Sequence, residues 1–422
     1  MFTEYDYQNE PIVDIVNEML VDAAKKRASD IHMDPTPDVL NIRIRVDGEL
    51  ILYAKVPAAV KKNLVTRVKI ISGMNITESR VPQDGAIKMS VDGKDLDFRV
   101  STLPIVYGEK VVIRLLDYSA TQASLESLGF AEENLNKLKE AMNKPNGIIL
   151  VTGATGSGKS TTVYSILQSL NRVERNIITV EDPVEMKIAG INQVQTMSEI
   201  GLTFASALRS ILRQDPDIIM IGEIRDNETA RIAVRASITG HLVLSTIHTN
   251  NSLTTIERLV DMDVERYLLG SALEAIVSQR LCKKLCPKCR RPRKTTDYEK
   301  RVMKEALKID IDSIYEPVGC DECYKGYKGR IALQEVLVLN QEIRDAIVNN
   351  ATKEELRVLI YNNGHTLKLL DDGLIKVING LTSFEEVLRV IDIKDDLGEG
   401  ESDLKDALIG RKSPKATQVE TL

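Results

Sequence analysis

Apolar residues recur at helical spacing over positions 12–24, where Ile12, Ile15, Val16, Met19, Leu20 and Ala23 fall on one face, so an amphipathic helix opens the chain. The period then changes. Asn41-Ile42-Arg43-Ile44-Arg45-Val46 alternates strictly, turns at Asp47-Gly48 and runs on through Glu49-Leu50-Ile51-Leu52-Tyr53, which is a hairpin pattern. Period two sets Ile42, Ile44 and Val46 against Arg43 and Arg45. A second hairpin turns at Asp92-Gly93, and its return strand sets Leu96, Phe98 and Val100 against Asp97, Arg99 and Ser101. Val111-Val112-Ile113-Arg114-Leu115-Leu116 reads as a more buried strand. Together these elements predict a small α+β domain over 1–118 that shows arginines on an outward sheet face. Exposed strand arginines are most often solubility features, and the residues alone leave that reading beside a functional one.

Over 119–146 the pattern predicts a linker and a helix, whose stripe of Leu135, Leu138 and Met142 is broken by Pro145-Asn146-Gly147. Short apolar runs then alternate with helical patterns. Ile148-Ile149-Leu150-Val151, Asn176-Ile177-Ile178-Thr179-Val180, Asp217 to Glu223 and His241 to His248 read as buried strands. Thr203 is placed to cap a helix bearing Ala207, Leu208, Ile211 and Leu212. Alternating strand and helix predicts an α/β fold with a largely parallel sheet and helices on both faces. Ligands of such sheets gather at the carboxyl ends of the strands. The expected divisions are a core over 147–281, a cysteine-bearing insert over 282–330, a helical part over 331–397 and a polar, disordered tail over 398–422.

Between the first strand of the core and its helix stands Gly153-Ala154-Thr155-Gly156-Ser157-Gly158-Lys159-Ser160, followed by Thr161. This fits the phosphate-binding loop G-x-x-x-x-G-K-[ST] in the strand–turn–helix context the pattern requires. Glycines let backbone N–H groups fold around phosphate oxygens, and the helix N-terminus adds the positive end of its dipole. Lys159 reaches the β- and γ-phosphates in such a loop, and the Ser160 hydroxyl holds Mg²⁺. Glu223, at a strand end, suits the metal or its water shell. Glu185, at the end of the neighbouring strand, suits polarising an attacking water; which of the two is the general base stays open. His248 ends a further strand and could meet the γ-phosphate or a neighbouring subunit.

All five cysteines lie between 282 and 323. Cys286-x-x-Cys289 and Cys320-x-x-Cys323 have the spacing of a closed, structural zinc site with four cysteine ligands. Cys282 is left over and reads as a buried thiol. Lys283, Lys284, Lys288, Arg290, Arg291 and Arg293 surround the first pair, either neutralising the thiolates or meeting a membrane surface or partner.

Composition narrows this picture rather than changing it. At 422 residues the chain has room for two or three domains, and a net charge of −6 with 4% aromatics argues against a dedicated nucleic-acid binder. The start, Met1-Phe2-Thr3-Glu4-Tyr5-Asp6, lacks a basic and an apolar signal region, so a cytoplasmic location is expected.

With these motifs in order, the chain resembles the secretion ATPases of type II secretion and type IV pilus assembly from about Ser29 to Ile391. Further marks are Ser29-Asp30-Ile31-His32, Val81-Pro82-Gln83-Asp84-Gly85, Ser101-Thr102-Leu103-Pro104, Thr179 to Glu185, Asp215 to Asp226, Gly240 to Thr249 and Gly326-Tyr327-Lys328-Gly329-Arg330. The resemblance implies a PAS-like first domain, a RecA-like P-loop ATPase domain with a small tetracysteine zinc insert, and a homohexameric ring. It implies hydrolysis of ATP with Mg²⁺, coupled to domain motion that drives an inner-membrane platform protein, with peripheral membrane association. It also implies Glu185 and Glu223 as the catalytic pair, and Arg80, Arg99 and Arg114 as arginines reaching the nucleotide. The four cysteines resemble assembly rather than retraction ATPases. Where relatives often carry arginine after Gln83-Asp84-Gly85, this chain has Ala86, so a thinner arginine network is expected. Only about ten residues precede the first helix, where many relatives carry a further docking domain. A competence pseudopilus motor and a RecA-like nucleic-acid motor are the rival readings.

Overall fold

The computed structural model describes residues 2–116, 124–362 and 366–391; the expected tail from 398 and part of the expected linker lie outside them. The chain divides into two compact units, Met1–Ala120 and Thr121–Leu422.

In the first unit, α1 (Ile12–Lys25), β1 (Ala28–Pro35), β2 (Val39–Val46), β3 (Glu49–Pro57), α2 (Ala58–Ile71), β4 (Gln83–Val91), β5 (Lys94–Ile105) and β6 (Gly108–Leu116) follow in order. The strands form one six-stranded sheet, β3-β2-β1-β6-β5-β4. Both expected hairpins are present, and their turns need the residues found there. Asp47 and Gly48, like Asp92 and Gly93, all take positive φ, the geometry of the two-residue turn whose twist matches paired strands. Ile42, Ile44, Phe98, Val100, Val111 and Ile113 bury one sheet face under α1 and α2. The opposite face carries charge. β1 escaped the sequence pattern because its Ala28–Pro35 run mixes Asp30, His32 and Asp34 with apolar residues, yet it lies between β2 and β6 in the sheet.

The second unit begins with α3 (Glu132–Met142), β7 (Gly147–Thr152), α4 (Lys159–Leu170), β8 (Ile177–Glu181), β9 (Asn192–Gln195), α5 (Phe204–Ile211), β10 (Ile218–Ile221), α6 (Asn227–Ile238) and β11 (Leu242–Ile247). It continues through α7 (Ser252–Asp261), α8 (Arg266–Ala272), β12 (Leu273–Leu285), β13 (Arg291–Lys294), α9 (Asp297–Leu307), β14 (Ser313–Glu316) and β15 (Tyr327–Val338). Four helices close it: α10 (Gln341–Val348), α11 (Lys353–Tyr361), α12 (Leu369–Ile378) and α13 (Phe384–Val390).

Seven strands form the central sheet in the order β15-β12-β7-β11-β10-β8-β9, parallel throughout except for β15, which runs antiparallel to β12. Its inner strands β7, β8, β10 and β11 read as largely apolar runs because both faces are covered. Ile148 and Leu150 join a core with Ala230, Val234 and Ile256, whereas Ile149 and Val151 join another with Leu138, Val163 and Ile166. Thr203 does cap α5, in a capping box with Ser206.

Three expectations are corrected. The stretch expected to be helical from 331 begins inside β15, and the expected boundary at 282 falls inside β12. These two strands are long because they serve two jobs: one end extends the central sheet, the other carries the cysteine knuckles outward. Glu185 was expected at a strand end, but β8 stops at Glu181 and Glu185 lies in the loop beyond. Asp182-Pro183 explains the early stop, since proline has no N–H for the ladder.

Behind β15, Asp372 and Lys376 form a buried ion pair at 2.5 Å, with side chains only 1% and 6% exposed. Asp372 also accepts from the Gln334 amide, and Lys376 donates to the Ala332 carbonyl. Removing the cation alone strands a carboxylate in the core. Lys376→Met is therefore expected to lose about 3–5 kcal/mol of stability by denaturant titration, and a change well under 1 kcal/mol would contradict the pairing.

Candidate nucleotide site

Thr152 ends β7, an inner strand between β12 and β11, and the glycine loop rises directly from it. Gly153 takes φ +151°, where an added Cβ would stand 2.4 Å from the Gln279 carbonyl oxygen; at Gly158, φ +89°, it would stand 2.7 Å from Gln279 Nε2. No side chain fits at either position, which is why the loop can lie flat against β12. Gln279 is buried and braces it, donating to the Ser157 carbonyl at 2.7 Å and accepting from Thr162 Oγ1 at 2.8 Å.

Lys159 opens α4 yet is only 9% exposed. Its Nζ donates to the carbonyls of Gly153 (2.8 Å) and Ala154 (3.1 Å). Burial lowers its pKa first; Glu223 pulls the other way and Arg280 adds to the lowering. A cation held mainly by neutral dipoles is well suited to an arriving anion. Ser157 Oγ is buried without a hydrogen-bond partner among the described residues. Ser160, next to the lysine, is exposed.

The neighbouring strand ends complete one cleft, lined by Thr155, Gly156, Lys159, Ser160, Glu185, Glu223 and His248. Glu223 follows β10, pairs with Arg225 and faces His248 Nε2 at 3.6 Å. Burial lowers the His248 pKa, with Lys159 acting in the same direction and Glu223 opposing both. Gly153, Ala154, Ser157 and Gly158 belong to the loop itself, and Thr161 lies in the first turn of α4. Sequence reasoning missed Tyr164, Glu181 and Gln279, which also serve this site. Tyr164 reads as one more core residue of α4, and the roles of Glu181 and Gln279 rest on contacts between elements far apart in the chain.

The three arginines belong to the first unit. Arg99 and Arg114 stand opposite each other on β5 and β6, and Arg114 Nε pairs with Asp30 at 3.0 Å. Arg80 grips Glu78 through Nε (3.0 Å) and a terminal nitrogen (2.7 Å).

The four knuckle cysteines come together, all Sγ atoms lying within 4.8 Å of one another. The pairs 286–320, 289–323 and 320–323 stand 3.9, 3.6 and 3.6 Å apart. A tetrahedron with Zn–S bonds of about 2.3 Å has edges of about 3.8 Å, so the donor set fits zinc in both size and softness. Backbone amides of Gly319 and Cys320 donate to Cys289 and Cys323 Sγ, as thiolates require. Most of the surrounding basic run is engaged locally. Lys283 pairs with Glu386, Lys288 with Glu322 and Arg293 with Glu299, while Arg290 stacks on Tyr315. Cys282 stands apart, 1% exposed, and burial pushes its thiol up to about 11.

A glycine loop between an inner parallel strand and its helix, faced by carboxylates from the segments beyond two adjacent strands, defines a RecA-like P-loop ATPase. The chain belongs to the type II/IV secretion system protein family, which it matches over residues 6–389. It is 48% identical over 381 residues to the type II secretion system protein E of Aeromonas hydrophila, covering 90% of this chain and 75% of that one. The type IV pilus assembly ATPase PilB of Myxococcus xanthus is 47% identical over 383 residues, with 90% and 67% covered. Among solved structures, the ATPase DotB of Legionella pneumophila shares the fold at 23% identity, with a TM-score of 0.69 over 91% of this chain and 97% of its own. The pilus retraction motor PilT with bound ADP aligns at 27% identity and a TM-score of 0.61, over 92% and 99%.

Lys159→Ala is expected to weaken binding of a fluorescent ATP analogue by at least about tenfold, the loss of one charge-assisted contact; unaltered affinity would remove the loop assignment. Elemental analysis tests the second site. The native chain should carry one zinc, Cys286→Ser should carry none, and full zinc in that variant would overturn the cluster as a metal site.

Proposed function

We propose that this chain is a Mg²⁺-dependent ATPase motor that works as a homohexameric ring in the assembly of a type IV pilus or a type II secretion pseudopilus. One observation carries the catalytic part: Lys159, Ser160, Glu185, Glu223 and His248, drawn from the segments that follow four neighbouring parallel strands, line a single cleft. Similarity to protein E of type II secretion and to a pilus assembly ATPase supports the choice of machinery.

In this reading the loop amides and Lys159 hold the β- and γ-phosphates, and Thr161 and Ser157 complete the cradle. Ser160 and Glu223 would hold a magnesium ion, which would offset negative charge on the phosphates. Glu185 accepts a proton from the attacking water or orients it. His248, held below its ordinary pKa, is neutral near pH 7 and can donate one hydrogen bond to the γ-phosphate.

Arg80, Arg99 and Arg114, by resemblance, act on the same triphosphate. An arginine on a transferring phosphoryl contributes about 10³–10⁵ in rate, so advancing and withdrawing these cations would tie hydrolysis to motion of the first unit. The zinc cluster is structural, its four thiolates fastening the outer ends of β12 and β15. Work is delivered at the inner face of the membrane to a platform protein; no helix of the described residues is long and apolar enough to cross a bilayer.

Glu185→Gln and Glu223→Gln test the enzyme reading. Each should cut ATP turnover at least about 100-fold, the scale of lost general-base or charge stabilisation, while retaining nucleotide. Wild-type turnover in both would contradict a motor and favour a nucleotide-dependent scaffold. Stimulation by DNA, without response to a platform protein's cytoplasmic domain, would favour a nucleic-acid motor.

A further inference from the structure

Glu185 lies in the irregular loop after β8, so something other than the strand ladder must fix it. The loop is pinned from two sides. Gln193 on β9 donates to the Met186 carbonyl at 2.8 Å and accepts from the Ile188 amide at 2.7 Å. On the other side stands Tyr164, 2% exposed, whose hydroxyl accepts from the backbone amides of Glu185 at 3.2 Å and Met186 at 3.4 Å.

A phenol oxygen can accept from two amides only when its own proton points elsewhere. Glu181 provides that direction. Its carboxylate, 3% exposed, accepts the Tyr164 proton on one oxygen, and Thr179 Oγ1 (2.5 Å) and Gln193 Nε2 (3.1 Å) on the other. Burial, reinforced by Glu181, pushes the Tyr164 pKa up, so the phenol keeps its proton across the physiological range. Every donor in this cluster faces an acceptor.

Tyr164 also stands one turn beyond Ser160 on α4, so the two side chains share a helix face. The helix that begins at the phosphates thus carries, on one rigid face, both the hydroxyl placed for the metal and the hydroxyl holding Glu185.

We propose that Tyr164, oriented by Glu181, is a positioning residue for Glu185: it fixes that glutamate's backbone to the phosphate-loop helix, so that seating a triphosphate and aligning the attacking water become one movement. The proposal rests on the reading of Glu185 as the group acting on water. A buried tyrosine that merely fills the core would show the same contacts, so the test must read chemistry rather than folding.

The experiment measures kcat, KM, affinity for a fluorescent ATP analogue and thermal melting in the full-length chain carrying Tyr164→Phe, Glu185→Gln or both. Tyr164→Phe is expected to lower kcat about tenfold, the scale of one misaligned hydrogen-bonded group, with analogue affinity unchanged within about twofold. In the Glu185→Gln background the same change should have no further effect on turnover, because Tyr164 acts only through Glu185. Undiminished kcat in Tyr164→Phe overturns the proposal, and so does an equal further loss in the double variant. Wild-type turnover in Glu185→Gln alone overturns the parent reading instead.

Glu181→Gln covers a phenylalanine chain that does not fold. An amide nitrogen turned toward Tyr164 removes the acceptor of the phenol proton, and one turned the other way meets the donor Gln193 Nε2, so either orientation breaks a hydrogen bond that pins the Glu185 loop. A severalfold loss of kcat at unchanged affinity is expected, and full kcat in a folded Glu181→Gln chain overturns the proposal.

Discussion

A lysine ammonium drawn largely out of water and answered mainly by carbonyl dipoles is the constraint from which the site follows. Lys159 is placed there by the first turn of α4, and its Nζ rests on the Gly153 and Ala154 carbonyls. Such a cation has lost part of its hydration without gaining a full counter-charge, and burial lowers its pKa accordingly. An arriving polyphosphate supplies the missing charge. Glu223 offers part of it from across the cleft, but Glu223 is itself paired with Arg225, so the balance remains on the positive side at the loop.

Holding that cation in place requires a rigid base, and the sheet provides it. β7 is covered on both faces and flanked by β11 and β12, so the loop springs from a position with no freedom to shift. Gln279 then fixes the loop from below, and the two close approaches at Gly153 and Gly158 leave no room for other residue types. The carboxylates come from the segments after β10 and β8, close enough along the sheet to face the same ligand. β12 and β15 run on beyond the sheet to the cysteine cluster, giving one mechanical frame from phosphate loop to metal knuckles.

Much of this was legible in the residues. The phosphate loop, the Asp47-Gly48 and Asp92-Gly93 turns and the paired Cys-x-x-Cys knuckles are local signals, each read from a few adjacent positions. β1 was not, because Asp30, His32 and Asp34 make its short run look like a charged loop even though Ile31 and Met33 alternate with them, and those charges make sense only once Arg43, Lys110 and Arg114 stand beside them. β12 and β15 were missed for a different reason: their apolar runs continue into basic and glycine-rich segments that read as insert. Tyr164 and Gln279 had no sequence signal at all, and Glu181 stood inside the marked stretch Thr179 to Glu185 without a role of its own, since a buried polar group declares its purpose only through partners that folding brings to it.

A structure of the chain with magnesium and a non-hydrolysable ATP analogue tests the central claim most directly. The account predicts that Lys159 Nζ leaves the Gly153 and Ala154 carbonyls for the β- and γ-phosphate oxygens, with Ser160 on the metal and Glu185 facing the γ-phosphate. A triphosphate bound elsewhere, with Lys159 still resting on its own loop, would contradict it.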